Sequence, residues 1–262
     1  MGKSIIIAGK DSPDSIKFAD GFILAQNTVI LTGKETEISE NTDTRVDNNY
    51  GVALVEQSST TTTVAWNRSS PVSSRTLILE ASNIYGKVDG VVLYFDEGYF
   101  ARNSPELDTS GCSRCADEMI LGYQYLTLES LRRFEKRNNA SNPGTLVFVI
   151  KEASSESDAI RNPSLRDGGA CVSSPIVASA AASFTAFAEN IAAVYSEKEY
   201  VNIYLIKSDG TGDVGSKDDI LGKWICDYIE ANPGPVTAKK SVIWIKAGSK
   251  TVSSTFSFFG RR

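Results

Sequence analysis

The sequence predicts an α/β fold, a three-layer doubly wound parallel sheet of about seven strands, and three observations carry that prediction. Short apolar runs rich in β-branched residues alternate with longer segments of helical periodicity. The runs are almost continuously hydrophobic, the pattern of strands buried on both faces. The first run opens a strand–turn–helix–strand phrase, SIIIAGKDSPDSIKFADGFILAQNTVILTGK, with Gly9 in its turn.

Taken in order, the strands fall at 4–8, 28–32, 62–66, 90–95, 145–150, 201–206 and 242–246, and the helices at 14–26, 71–85, 115–137, 175–198 and 217–231. Ser12, Pro13 and Asp14 carry helix-start chemistry: a capping hydroxyl, a proline at the first helical position and an acid in the first turn. Two segments depart from the alternation. Residues 35–59 hold one short apolar run at 52–55 among polar and turn residues, and read as a hairpin or an irregular insertion. Residues 154–174, rich in Ser, Gly, Asp and Pro, follow the fifth strand at the sheet's carboxyl edge, where ligands bind; they read as a lid or as an ordinary surface loop. No linker divides the chain, so 1–262 is read as one domain.

Composition excludes several classes of function. With 41% hydrophobic and 23% charged residues the chain is an ordinary globular composition, and a net charge of −5 argues against a nucleic-acid partner. No apolar run approaches the roughly 20 residues of a membrane span and no secretory pattern opens the chain, so a cytoplasmic protein without a membrane partner is expected. Histidine is absent, which removes Ser-His and Cys-His nucleophile pairs and imidazole bases together. Cys112-x-x-Cys115 could form half a zinc site completed by Cys171 and Cys226, or a redox pair; the alternative, loop and packing cysteines, assigns no metal. Acid–base work would then fall to groups at the strand ends: Tyr94, Asp96, Lys151, Glu152 and Lys207. Lys151 and Glu152, directly beyond the fifth strand, lead that set, with a surface ion pair as the alternative. Tyr94, Phe95 and Tyr99 either line an apolar ligand pocket or belong to the core.

Four phrases resemble, in order and position, those of the short-chain dehydrogenase/reductase superfamily: VILTGK, TLILEASNIYGKVDGVVLYFDE, IVASAAASFTAFAENIAAVYSEKEYVN and SVIWIKAGSK. The resemblance implies a Rossmann-type fold, an NAD(P) cofactor and hydride transfer assisted by a Tyr-x-x-x-Lys pair. On that correspondence Ile176 and Ala180 stand at the tyrosine and lysine positions. Lys151 falls near the family serine, Ile120 near the helix asparagine, and Leu93-Tyr94-Phe95-Asp96 replaces Asn-Asn-Ala-Gly. Of the Gly-x-x-x-Gly-x-Gly turn Gly9 keeps the first glycine, while Pro13 and Ser15 occupy the other two places. Gly9, Lys34 and Asn67 are what remains to hold NAD(P), as tight turn, cation for a ribose phosphate and adenine contact.

The resemblance therefore implies a degenerate member, a pseudoenzyme with no catalytic residues and no cofactor, or NAD(P) bound only through those three positions, working through protein binding or assembly. The alternative is a divergent NAD(P)-dependent oxidoreductase with a non-standard site. Ala178, Ser179, Ala181, Ala182, Ser183 and Ala186 put small residues on several sides of 175–198, which suits the approach of another backbone. Relatives assemble through the helices matching 115–137 and 175–198, so a homo-oligomer, dimer or tetramer, is expected.

Overall fold

A computed structural model describes residues 2–34, 54–57, 60–103, 107–167, 172–210, 212–234 and 242–249. The main sheet is built from β1 (Ser4–Ala8), β2 (Thr28–Gly33), β3 (Leu54–Gln57), β4 (Thr61–Ala65), β5 (Gly90–Asp96) and β6 (Gly144–Lys151), with two more strands supplied after a short pair, β7 (Ser154–Ser155) and β8 (Val172–Ser173). Those two are β9 (Val201–Ser208) and β10 (Ile245–Lys246), and the order across the sheet is β10-β9-β6-β5-β1-β2-β4-β3. Seven of the strands run parallel, as the sequence predicts, and β3 is added antiparallel to β4 at one edge. From β1 the chain builds outward to β2 and β4, then returns to β5 on the other side. The strand order thus reverses between β1 and β5, and the crevice beyond their carboxyl ends is where a doubly wound sheet accepts a ligand.

Every residue of β1 and β5 is buried, and alternate side chains enter two separate cores. Ile6, Ala8, Leu93 and Phe95 face one layer, made by α2 (Pro71–Tyr85), α5 (Gly122–Arg137) and α8 (Pro175–Val194), whose numbers follow chain order. Ile5, Ile7, Val92 and Tyr94 face the other, made by α1 (Ile16–Leu24) and α10 (Asp218–Ala231). Between these lie α3 (Glu97–Asn103), α4 (Thr109–Cys115), α6 (Glu156–Arg161), α7 (Ser164–Asp167) and α9 (Gly212–Gly215).

Local chemistry sets several ends. Ser70 and Ser174 cap α2 and α8 by accepting from the Ser73 and Val177 N–H groups, and a proline follows each cap. The start predicted at Ser12 is not used: α1 begins at Ile16 after Ser15, and the Ser12 N–H instead donates to Thr32 O (2.9 Å), which ties that residue to β2. The single helix expected at 115–137 is α4, a π-helical turn at Ala116–Leu121, and α5. The helix expected at 175–198 ends at Val194. Of the segment 154–174, α6, α7 and the β7–β8 pair are described, and 168–171, with Cys171, lie outside the described residues. In 35–59 only β3 is described, and its antiparallel pairing supplies one arm of a hairpin.

One expectation is corrected by α8. It has 20 residues and a mean hydropathy of 1.3 in its most apolar window, long and apolar enough to cross a membrane by length and composition. Its alanines make the run apolar without bulk, and Val177, Ala180, Phe184 and Ala188 pack it into the first core.

On the opposite layer α1 and α10 touch backbone to backbone. A Cβ on Gly21 would overlap the backbone of Asp219 and Lys223, and one on Gly222 would overlap the Phe18 carbonyl. That close approach sets the head of α10 over the turn after β1.

Candidate functional site

Lys10 leaves β1 directly after Gly9 and turns inward, only 7% exposed. Its ammonium meets Asp96, the last residue of β5, at 2.6 Å and Asp218, the first of α10, also at 2.6 Å. Lys151, the last residue of β6, reaches the other oxygen of Asp218 at 2.8 Å. The Tyr94 hydroxyl shares its one proton between Asp218 (3.0 Å) and, more distantly, Asp96 (3.4 Å), and its ring stacks on Phe18 with centroids 4.2 Å apart. Lys10 also lies 5.1 Å from the Tyr94 ring centroid and 5.8 Å from that of Tyr99. Two ammoniums and two carboxylates thus balance in one partly buried network, which is the condition for keeping charge there at all. Burial alone would raise the Asp218 carboxyl, but Lys10 and Lys151 outweigh it and hold it below the usual range. Burial, and then the neighbouring carboxylates, push the Tyr94 phenol well up, so it stays a neutral donor.

A second cluster closes the other side of the turn. Arg68 donates to Asp11 (2.9 Å), to the Gly9 carbonyl and to the Glu118 carbonyl (3.5 Å), and lies over the Trp66 ring at 5.1 Å. Burial would lower its pKa, yet Asp11 more than offsets this and raises it. Gly9 itself has φ +149°, and a Cβ there would overlap the Tyr94 carbonyl, so only glycine lets the turn press onto β5. That carbonyl accepts from the Tyr123 hydroxyl at 2.9 Å.

The remaining candidates separate. Ile176 and Ala180 are buried in the first core, and the Ile176 carbonyl receives the Cys115 thiol at 3.8 Å. Glu152 is not in the network; it pairs with Lys207 at 2.6 Å nearer the surface. Lys34 and Asn67 do come together, lining with Trp66, Arg68 and Arg114 a cavity of about 330 Å³. Asn67 also makes turn-forming bonds, accepting from the Ser69 N–H (3.1 Å) and hydroxyl (2.7 Å). Tyr94, Phe95 and Tyr99 do not form one pocket, because adjacent strand residues point to opposite faces: Tyr94 enters the second core and Phe95 the first. Cys112 is exposed while Cys115 is buried beside Met119, where burial pushes its thiol up to about 11. Cys226 is likewise buried and pushed up to about 12. Among the described residues no three His, Cys, Asp or Glu side chains are placed to hold a metal.

Sequence reasoning missed Lys10, Asp11, Arg68 and Asp218. Asp218 reads as an ordinary first-turn acid and Lys10 as a turn lysine; nothing local in the sequence joins residues 208 positions apart.

The turn also decides how a dinucleotide would fit. Pyrophosphate is held by backbone N–H groups left free at this point of the fold. Here Ser12, Ser15 and Ile16 donate to chain carbonyls instead, and Pro13 has no N–H. With Pro13 and these three amides withdrawn, the turn does not fit a pyrophosphate; the cavity beside it is lined by Lys34, Asn67 and Arg114 together with the acids Asp11, Asp117 and Glu118.

No protein-family model matches the chain. It is 26% identical over 200 residues to an uncharacterised protein of Treponema pallidum (strain Nichols), a match covering 76% of each chain. Among solved structures it is similar to a short chain dehydrogenase from Mycobacterium smegmatis, with a TM-score of 0.59, 15% identity and coverage of 95% of this chain and 93% of that one. It is also similar to a short-chain dehydrogenase/reductase from Serratia marcescens, with a TM-score of 0.57, 12% identity and coverage of 95% and 98%. At these identities the likeness to solved structures is one of fold: a Rossmann-type parallel sheet flanked by helices.

Proposed function

We propose that this chain is a pseudoenzyme on a short-chain dehydrogenase/reductase-like fold, acting in the cytoplasm by binding other proteins and assembling with itself. The observation that carries this reading is the use made of the crevice at the switch point. Lys10, Asp96, Asp218 and Lys151 bind one another there, and the turn amides Ser12, Ser15 and Ile16 are committed to the chain. At the positions matching the family's proton-transfer pair stand Ile176 and Ala180, both buried hydrocarbon that neither donates nor accepts a proton.

Titration of the purified protein with NADH and NADPH, followed by nicotinamide fluorescence, tests the reading. No saturable change is expected, and no oxidation of alcohols or reduction of carbonyls with either cofactor. Saturable binding accompanied by turnover would overturn it. One observation favours a second reading, a divergent NAD(P)-dependent oxidoreductase: Lys34 and Asn67 share a cavity beside the turn. Under that reading NADPH binds and Lys34→Met weakens it about tenfold, the loss of one charge-assisted phosphate contact.

A further inference from the structure

Above the buried network opens a second and larger cavity of about 890 Å³, over the carboxyl ends of β5, β6 and β9 and the turn after β1. We propose that it binds a small polyhydroxylated monocarboxylic acid, a sugar acid in chemical class, whose carboxylate is anchored by Lys151. This goes beyond the assembly reading and stands whether or not the protein assembles.

The floor offers donors rather than acceptors. Both oxygens of Asp96 accept from within the chain: one from the Tyr99 N–H (2.9 Å), the other from Lys10 (2.6 Å) and Tyr94. Both oxygens of Asp218 are likewise committed, to Lys10 and to Lys151 with Tyr94. Lys151 is different. An ammonium has three N–H donors, and among the described residues only Asp218 accepts from this one. Its side chain is 17% exposed and lines the cavity, so two donors remain for the two oxygens of a ligand carboxylate.

Charge selects a monoanion. Five cationic and six acidic side chains line the cavity, but two of the acids are paired from outside it, Glu152 by Lys207 (2.6 Å) and Asp209 by Lys246 (3.0 Å). The surplus is one positive charge. A carboxylate matches it; a phosphate dianion would exceed it and face Asp20 and Asp219. The rest of the ligand is hydroxylated on a carbon chain: Ser154, Ser216, Asp20 and Asp219 offer hydrogen bonds to hydroxyls, while Ala153, Leu165 and the lysine stems offer hydrocarbon for its C–H groups. The volume lies within the range of small-molecule sites, about 300–1,000 Å³.

Isothermal titration of the full chain with sodium gluconate, sorbitol and inorganic phosphate tests the proposal. Gluconate is expected to bind saturably, with sorbitol and phosphate about tenfold weaker or more. Lys151→Met should lose about tenfold or more and Lys151→Arg should retain binding, with circular dichroism verifying that each variant is folded. A second measurement needs no variant: gluconate should slow acetylation of Lys151 in the native protein while leaving Lys223, exposed and paired with Asp227 at 2.7 Å, unchanged. No saturable gluconate heat, sorbitol or phosphate binding as tightly, or Lys151 unprotected at saturation would each overturn it.

Discussion

Lys10 holds two carboxylates at 2.6 Å while nearly excluded from water, and Asp218 is held in turn by Lys10 and Lys151. Such clusters add little over hydrocarbon when intact, but removing one member leaves a charge uncompensated, at about 3–5 kcal/mol. Protonation removes a member reversibly, so pH is the natural probe. The two lysines keep the Asp218 carboxyl below its usual range in the folded protein, against the effect of burial. A carboxyl lowered in this way contributes its full stability above the unfolded value, about 3.9, and loses it as pH falls through the folded value. Thermal unfolding followed from pH 7 to pH 2 should therefore show the wild type steady down to about pH 5 and falling steeply below about pH 4. Asp218→Asn should be less stable by roughly 3 kcal/mol at pH 7 and should fall less over the acid range. Parallel curves for the two proteins would remove Asp218 from the balance. None of this was legible residue by residue, because Asp218 meets Lys10 across 208 positions and Lys151 across 67. What could be read at this scale was Gly9, whose neighbours in the sequence already demanded a turn.

Strands and helices were legible to the extent that each carries its own signal. Continuous apolar runs gave β1, β5, β6 and β9 because burial on both faces leaves no polar position to write. Helical patterns opening at Pro71 and Pro175 placed α2 and α8, and the structure adds the serines ahead of them, Ser70 and Ser174, as caps. Ser12-Pro13 carries the same letters and marks no start, since its amide is taken by β2 across the crevice. The contact between α1 and α10 has no periodic signature at all; it depends on two glycines 201 positions apart in sequence, each lying against the other helix's backbone. Gly222→Ala should force that contact apart and cost about 1–3 kcal/mol of overpacking, despite alanine's better helix propensity. Urea unfolding measures it, with Lys223→Ala on the exposed side of the same helix expected within about 0.5 kcal/mol of wild type. A neutral or stabilising Gly222→Ala would mean that the helices can separate, and with them Asp218 and Lys10.

For the molecule as a whole, two cores on either side of one sheet account for the inner faces of α1, α2, α5, α8 and α10. The outer face of α8 is left, and there Ser179, Ala182, Ala186, Asn190 and Ala193 are exposed at spacings of three or four residues, one stripe of a helix. Short side chains on such a stripe let a second helix approach closely, and Val194, 69% exposed, extends the apolar surface at its end. Leu128 on α5 is 50% exposed and adds hydrocarbon on the same layer of the sheet. Close packing of this kind fails when a long charged side chain enters the seam, since the charge must either be desolvated or hold the helices apart. Ala186→Arg is therefore expected to turn a dimer or tetramer into a monomer in sedimentation velocity, with the circular dichroism spectrum unchanged because position 186 is exposed in the single chain. Lys136→Ala, exposed near the end of α5 and away from this stripe, should leave the assembly intact. A wild-type chain that sediments as a monomer at tens of micromolar, or an Ala186→Arg variant that still assembles, would move self-association off α8 and leave its small-residue stripe as surface.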